Sequence, residues 1–222
     1  MAALGIAFVL SIAGGYFAFA ASRASSPWIW LALGLAQLPL AIVSLVRMHK
    51  AGSLRDLLQP RWGDISMGVG SALLLYAVTF AGRMWITPSG STREAWLMRV
   101  YLAVGDPAVI QNNLTLLGAA ILAVAACDEL AWRGLVMPIL DEKLGSRRSW
   151  IVTGVVYGLS FLPSAWWLRD AIGPNPLVVA AALLGGVVWS FLVVRSQRLV
   201  PSILSHGLYV WFVVAQFRLF AV

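Results

Sequence analysis

Charge is what this 222-residue sequence lacks. Only 11% of its residues are Asp, Glu, Lys or Arg, against about 25% in soluble domains. The hydrophobic share is 60% and the mean hydropathy is +0.85. Long uncharged runs at that hydropathy imply an integral membrane protein. Cysteine is nearly absent as well. Cys127 is the single one, which excludes an internal disulfide framework. With 2 histidines beside it, the chain lacks the usual ligands of a structural zinc site. Acids are outnumbered, 9 against 16 Lys and Arg, for a net charge of +7 and a pI near 10.3. A nucleic-acid partner would need those cations in a stripe. They are scattered singly between apolar runs, so no nucleic acid is expected, and they read as membrane-flanking charges.

What is present is apolar length. About 20 apolar residues cross a bilayer as a helix. Runs of that kind lie at roughly 3–22, 27–46, 65–82, 108–138, 149–168, 176–194 and 199–217. The fourth is too long for one simple crossing, and its opening, DPAVIQNNLTLLG, is expected at the interface or outside the core. The connections hold no soluble domain, no repeat and no low-complexity linker. The expectation is an all-α polytopic membrane helix bundle of about seven transmembrane helices, one domain over 1–222. No Lys or Arg precedes Arg23, so the positive start of a signal peptide is missing. "AFAAS" would suit a signal peptidase, but the first segment reads as a retained helix.

Lys and Arg in short loops set orientation. Arg47, Lys50, Arg55, Arg61, Lys143, Arg147, Arg148, Arg195 and Arg198 fall on one side. Arg23, Arg83, Arg93, Arg99, Arg169 and Arg218 fall on the other. The excess predicts the N-terminus in the cytoplasm and the C-terminus outside. The 83–106 connection mixes charges with Trp and Tyr and reads as an amphipathic interfacial segment. Trp28, Trp30, Trp150, Trp166 and Trp167 lie near proposed span ends, where aromatic belts belong.

One span breaks the apolar rule. In "ILAVAACDELAWRGLVMPIL", Asp128 and Glu129 stand side by side and Arg133 follows. Each ionisable group there costs roughly 2.5–3.5 kcal/mol even on the lenient insertion scale, and such groups usually face the bundle interior at a functional site. Glu129 and Arg133 are four apart and share a helix face. Asp128 lies about 100° round from Glu129. A self-neutralising Glu129–Arg133 pair is the bland reading, and it leaves Asp128 without a partner. Further on, Gly154 and Gly158 in "GVVYGLSFLPSAWW" allow close helix approach, which is commonly just packing. His206, in "PSILSHGLYVWF", is the only histidine within a span. By itself it would pass for a packed, hydrogen-bonded residue. A carboxylate dyad in the same bundle gives a general acid or base its partner.

These motifs resemble a known family. "DELAWRG" is similar to the EExxxR motif of the CAAX-protease and bacteriocin-processing family, the type II CAAX endopeptidase and Abi group of intramembrane glutamic endopeptidases. "GVVYGLSFLP" resembles its FxxxH motif and "PSILSHGLYV" its HxxxN motif, in family order over roughly 110–215. The resemblance implies water attack on a peptide carbonyl. A motif-one Glu and the motif-two His would activate the water, and the motif-three His and Asn would stabilise the oxyanion. It implies Asp128, Glu129, Arg133 and His206 as catalytic residues. No cofactor and no metal is implied, although His206 with two carboxylates has the donor types for a divalent ion. The implied partners are membrane lipid and a peptide or membrane-anchored protein substrate.

The chain departs from the pattern. Asp128 replaces the first Glu, Tyr157 the motif-two Phe, Phe161 the motif-two His and Val210 the motif-three Asn. A carboxylate displaced by an ångström can cost on the order of 10²-fold in rate. A lost oxyanion donor typically costs about 10²–10³. Tyr157, Ser160, Ser205, Tyr209, Asn112 and Asn113 are candidate substitutes, and Glu129 is itself a candidate base. Three functions remain open: an endopeptidase cutting a C-terminal tail or leader, a catalytically impaired relative binding a membrane peptide or partner (bacteriocin immunity or a scaffold), and a small proton-coupled transporter. The last would favour broken-helix pairs in matching halves, and none is visible. A Cys127 nucleophile needs a nearby cation or His, but Cys127 and Arg133 are about 240° apart on a helix.

Overall fold

The computed structural model describes residues 2–20, 28–105 and 112–216, and these fold into helices joined mostly by short turns. In chain order they are α1 (Ala2–Phe19), α2 (Trp28–Lys50), α3 (Leu54–Leu58), α4 (Asp64–Ile86), α5 (Glu94–Val104) and α6 (Leu114–Ala131). A π-helical turn (Trp132–Val136) leads into α7 (Met137–Leu144), followed by α8 (Ser146–Ser160), α9 (Ser164–Trp167), α10 (Leu177–Ser196) and α11 (Val200–Trp211). A second π turn, Phe212–Gln216, follows α11. Among the described residues 5 helices are long and apolar enough to cross a membrane: α1, α2, α4, the continuous Leu114–Leu144 and α10. Residues 106–111, the start of the expected interfacial stretch, lie outside the described residues, as do Arg23, Arg218 and the end of "AFAAS".

The remaining two expected spans fold as shorter helices. The 149–168 run is not continuous. Helix α8 ends at Ser160, and the chain turns before α9. Pro163 has no N–H to continue the ladder and disfavours helix in the residue before it. The turn satisfies carbonyls locally: Ser160 Oγ donates to Tyr157 O at 2.6 Å and Ser164 Oγ to Phe161 O at 2.6 Å. The last run forms Val200–Ala215, shorter than the full spans.

Small residues bring α8 and α10 together. A Cβ on Gly154 would stand 2.7 Å from Gly186 O, and one on Gly158 would stand 2.5 Å from Leu183 Cδ2. Glycine is required because backbone atoms stand in that space at both positions: Gly186 O beside Gly154, and Leu183 Cα, 2.6 Å from the added carbon, beside Gly158.

The basic loops gather at one end of the bundle. Arg47 Nη2 meets Glu142 Oε1 at 2.8 Å. Arg198 pairs with the Asp64 carboxylate at 2.7 Å and reaches Gln59 O, while Leu199 N donates to Leu57 O at 3.0 Å. At the opposite end the expected interfacial segment divides, its first residues extending α4 to Ile86 and its last forming α5. Asn175 Nδ2 donates to Trp96 O at 2.7 Å, and Arg99 Nε meets Asp170 Oδ2 at 3.1 Å.

The Ala171 N–H, then the Arg99 guanidinium, hold the exposed Asp170 carboxyl below the usual carboxylate range. A depressed folded-state pKa stabilises above the unfolded value and is lost as pH falls through the folded one. Acidification through that range is therefore expected to loosen α5 from the 168–176 turn. Amide hydrogen exchange on α5 should accelerate beyond its intrinsic pH dependence, and less so in Asp170→Asn.

Candidate functional site

Four elements converge on the acidic pair. Helix α6 carries Asp128 and Glu129, and the π turn carries Arg133. That turn has a local cause. Pro138 cannot donate to the carbonyl four residues back, and its ring crowds it. The ladder widens, and Met137 N donates to Trp132 O instead. Gly134 lets the widened turn press on α2, since a Cβ there would lie 2.5 Å from Ser44 Oγ and 2.6 Å from Met48 Cε. π turns of this kind are frequent at functional sites.

Glu129 is fully buried, and its Oε1 accepts from Arg133 Nη1 at 3.1 Å. His206 Nδ1, from α11, lies 3.0 Å from the same oxygen. Because Oε1 already accepts from the guanidinium, Nδ1 is the donor, and Nε2 is left as the other edge of the ring. Arg133 also donates from Nη2 to Gly186 O at 2.8 Å and from Nε to Ser190 Oγ at 3.2 Å. The Glu129–Arg133 pair expected on one helix face is present, and it is wired to α10 and α11 rather than self-contained.

Asp128 has a partner that the local sequence cannot supply. Tyr157 OH donates to its Oδ2 at 3.3 Å. Asp128 retains 9% exposure, whereas Glu129 retains none. The Tyr157 ring lies beneath the Arg133 guanidinium, 4.6 Å from its carbon. Trp189 of α10 stacks on the His206 ring with centroids 3.7 Å apart and planes at 14°. Glu129 Oε2 and the indole nitrogens of Trp132 and Trp189 are buried with no hydrogen-bond partner among the described residues.

The other sequence candidates divide sharply. Ser160 spends its hydroxyl on its own helix. Ser205 bonds Ser71 at 2.9 Å, and Tyr209 bonds Thr79 at 2.9 Å. Asn112 and Asn113 are exposed. From that group, Tyr157 hydrogen-bonds Asp128. Phe161 packs edge-on against Tyr157 at 5.3 Å, and Val210 is half-buried among apolar neighbours. Cys127 packs in the separate apolar cluster of Leu130 and Met137. Among the described residues no three His, Cys, Asp or Glu side chains gather closely enough to hold a metal ion.

Residues 110–212 match the family model of the type II CAAX prenyl endopeptidase Rce1-like proteins. This part of the chain is similar to the Rce1-like family. No curated protein and no solved structure matches the chain. The Rce1-like region contains Asp128, Glu129, Arg133 and His206, and also three residues that sequence reasoning missed: Gly186, Trp189 and Ser190. Their signal was available. They sit at i, i+3 and i+4 on one face of an otherwise apolar span, with a Trp several residues inside the helix end rather than at a belt position. The first five helices, α1 to α5, lie outside the Rce1-like match.

Proposed function

We propose that this protein is an intramembrane endopeptidase that cuts a membrane-proximal peptide, a C-terminal tail or leader, with carboxylate-activated water. It acts as one membrane domain in a bacterial inner membrane with its N-terminus in the cytoplasm. Supporting the reading is the asymmetry of the two acids. Glu129 is sealed, with one oxygen shared by Arg133 and His206; Asp128 keeps some exposure and accepts a hydrogen bond from Tyr157. The sealed acid suits holding; the other suits proton transfer. In this mechanism Asp128 takes a proton from water as the hydroxyl oxygen bonds to the peptide carbonyl carbon. The C–N bond then breaks, and Asp128 returns the proton to the leaving nitrogen. Glu129 fixes the His206 ring through Nδ1, and in its imidazolium form Nε2–H donates to the oxyanion. Arg133 compensates the charge of Glu129.

The apolar Phe161 ring against Tyr157 favours a second reading, a relative that binds a membrane peptide without cutting it. Both are tested with the full chain in phospholipid vesicles and an internally quenched farnesyl-cysteine peptide of CAAX form. Cleavage by the wild type and a loss in kcat of about 10²-fold or more in Asp128→Asn are expected, the scale of general acid–base catalysis. Saturable binding with no turnover would replace the peptidase with the binding reading. Turnover unchanged in Asp128→Asn would remove Asp128 as the base.

A further inference from the structure

Helix α4 lies outside the Rce1-like match, yet it runs beside the helix that carries His206. Three polar contacts join α4 to α11 and to the turn that leads into it. Asp64, at the start of α4, meets Arg198 at 2.7 Å, and both side chains are at least nine-tenths buried. Ser71 Oγ lies 2.9 Å from Ser205 Oγ. Thr79 Oγ1 lies 2.9 Å from Tyr209 OH. On α4 the three positions are seven and eight apart, so they form one stripe at two turns per step. Their partners advance in the same direction along the chain, so the helices are parallel and the contacts work as rungs. Between the first two rungs, a Cβ on Gly68 would meet Leu204 Cβ at 2.8 Å and Pro201 O at 3.2 Å. Only glycine allows the approach that a direct Ser–Ser bond needs.

We propose that this polar zipper makes Asp64, Ser71 and Thr79 positioning residues for His206. The inference rests on the endopeptidase reading only for its consequence in catalysis. Several observations point the zipper at the imidazole rather than at bulk cohesion. Ser205 precedes His206 directly, and Tyr209 follows it within one turn. The ring itself must meet two separate elements at once, Glu129 Oε1 at 3.0 Å on α6 and the Trp189 face at 3.7 Å on α10. Neither contact restrains α11 along its own axis as a set of rungs does. A slide or rotation of α11 by about an ångström would break the first contact while leaving much of the apolar packing in place, and displacements of that size can cost on the order of 10²-fold in rate. Ser71 Oγ is also within 2.6 Å of Met67 O, so its rung is not needed merely to satisfy the hydroxyl.

The chain offers a direct readout, because its 2 histidines are His206 and the exposed His49. Histidine-selective 15N and 13C labelling of the full chain in lipid nanodiscs gives two imidazoles, with His49 as internal reference. In the triple variant Asp64→Asn, Ser71→Ala, Thr79→Val, the His206 nitrogens are expected to lose the Nδ1-bonded pattern and its ring carbons the Trp189 ring-current shift. His49 should not move. On the farnesyl-cysteine peptide, kcat should fall at least about tenfold with KM within about twofold, the split expected when reacting groups are misplaced but the peptide still binds. His206 resonances that superimpose on the wild type overturn the zipper. If the wild type does not cleave the peptide, the peptidase reading fails while the imidazole spectrum still decides the zipper. If the triple variant does not fold, the single variants are read the same way. Ser71→Ala, beside His206, must then move its resonances most, and equal or absent shifts overturn the proposal.

Discussion

Arg133→Met is expected to destabilise the bundle by about 3–5 kcal/mol, the scale for removing one partner from a buried ion pair. Arg133 is 1% exposed and its guanidinium bonds Glu129 Oε1, Gly186 O and Ser190 Oγ. Met matches its stem but returns none of those donors. The Glu129 carboxylate would stay buried with His206 on Oε1, and Oε2 has no hydrogen-bond partner among the described residues. The loss belongs to the stranded charge rather than to the pair, since a buried pair replaced by apolar groups of similar volume is often neutral. The double variant Glu129→Gln, Arg133→Met should therefore recover much of the stability lost in the single variant. Denaturant-induced unfolding of the purified protein in mixed micelles reads both. Equal stability of wild type and single variant would show that the charge is relieved another way. The double variant should remain inactive, which separates folding from chemistry.

Gly154→Val is expected to be strongly damaging. Its first new carbon would meet Gly186 O at 2.7 Å and Val187 Cα at 2.8 Å. Backbone atoms cannot rotate away as a flexible side chain can, so α8 and α10 must separate. Overpacking typically costs about 1–3 kcal/mol and occasionally more, and here the damage spreads. Moving α10 withdraws Gly186 O and Ser190 from Arg133, and Trp189 from His206. A marked fall in thermal midpoint together with loss of any turnover is expected. Gly70→Ala is the matched control: a Cβ there meets nothing within 4 Å, and Gly in a helix interior is worse than Ala by roughly 0.5–1 kcal/mol. That variant should be neutral or slightly more stable. If Gly154→Val melts with the wild type, the close approach of α8 and α10 is not a constraint on the fold.

The depth of the site explains why part of it was legible. A charged residue in an apolar span is conspicuous because the bilayer penalises it. Asp128, Glu129, Arg133 and His206 could thus be singled out without coordinates, and the Glu129–Arg133 contact follows from helix spacing alone. The family motifs added an order in which to connect them. Trp189 was passed over because tryptophan is ordinary in a membrane protein and its own span carries no charge until Arg195. The expected 149–168 span failed at Pro163, where apolar composition continues but the backbone ladder does not. Composition reports what a segment dissolves in; it does not report whether its hydrogen bonds run unbroken.

The sequence by itself determined that this is a helical membrane protein with an acidic pair, an arginine and a histidine in its interior. Those conclusions depend on solvation cost and on the 3.6-residue period, both local properties of a chain. Only the tertiary structure decided the pairings: Tyr157 on Asp128, Trp189 on His206, Gly186 on Arg133, and α4 along α11. Each joins residues 29 or more positions apart, or rings on different helices. Such contacts depend on how close two helices can approach and in what register, and neither is encoded in the periodicity of either helix alone.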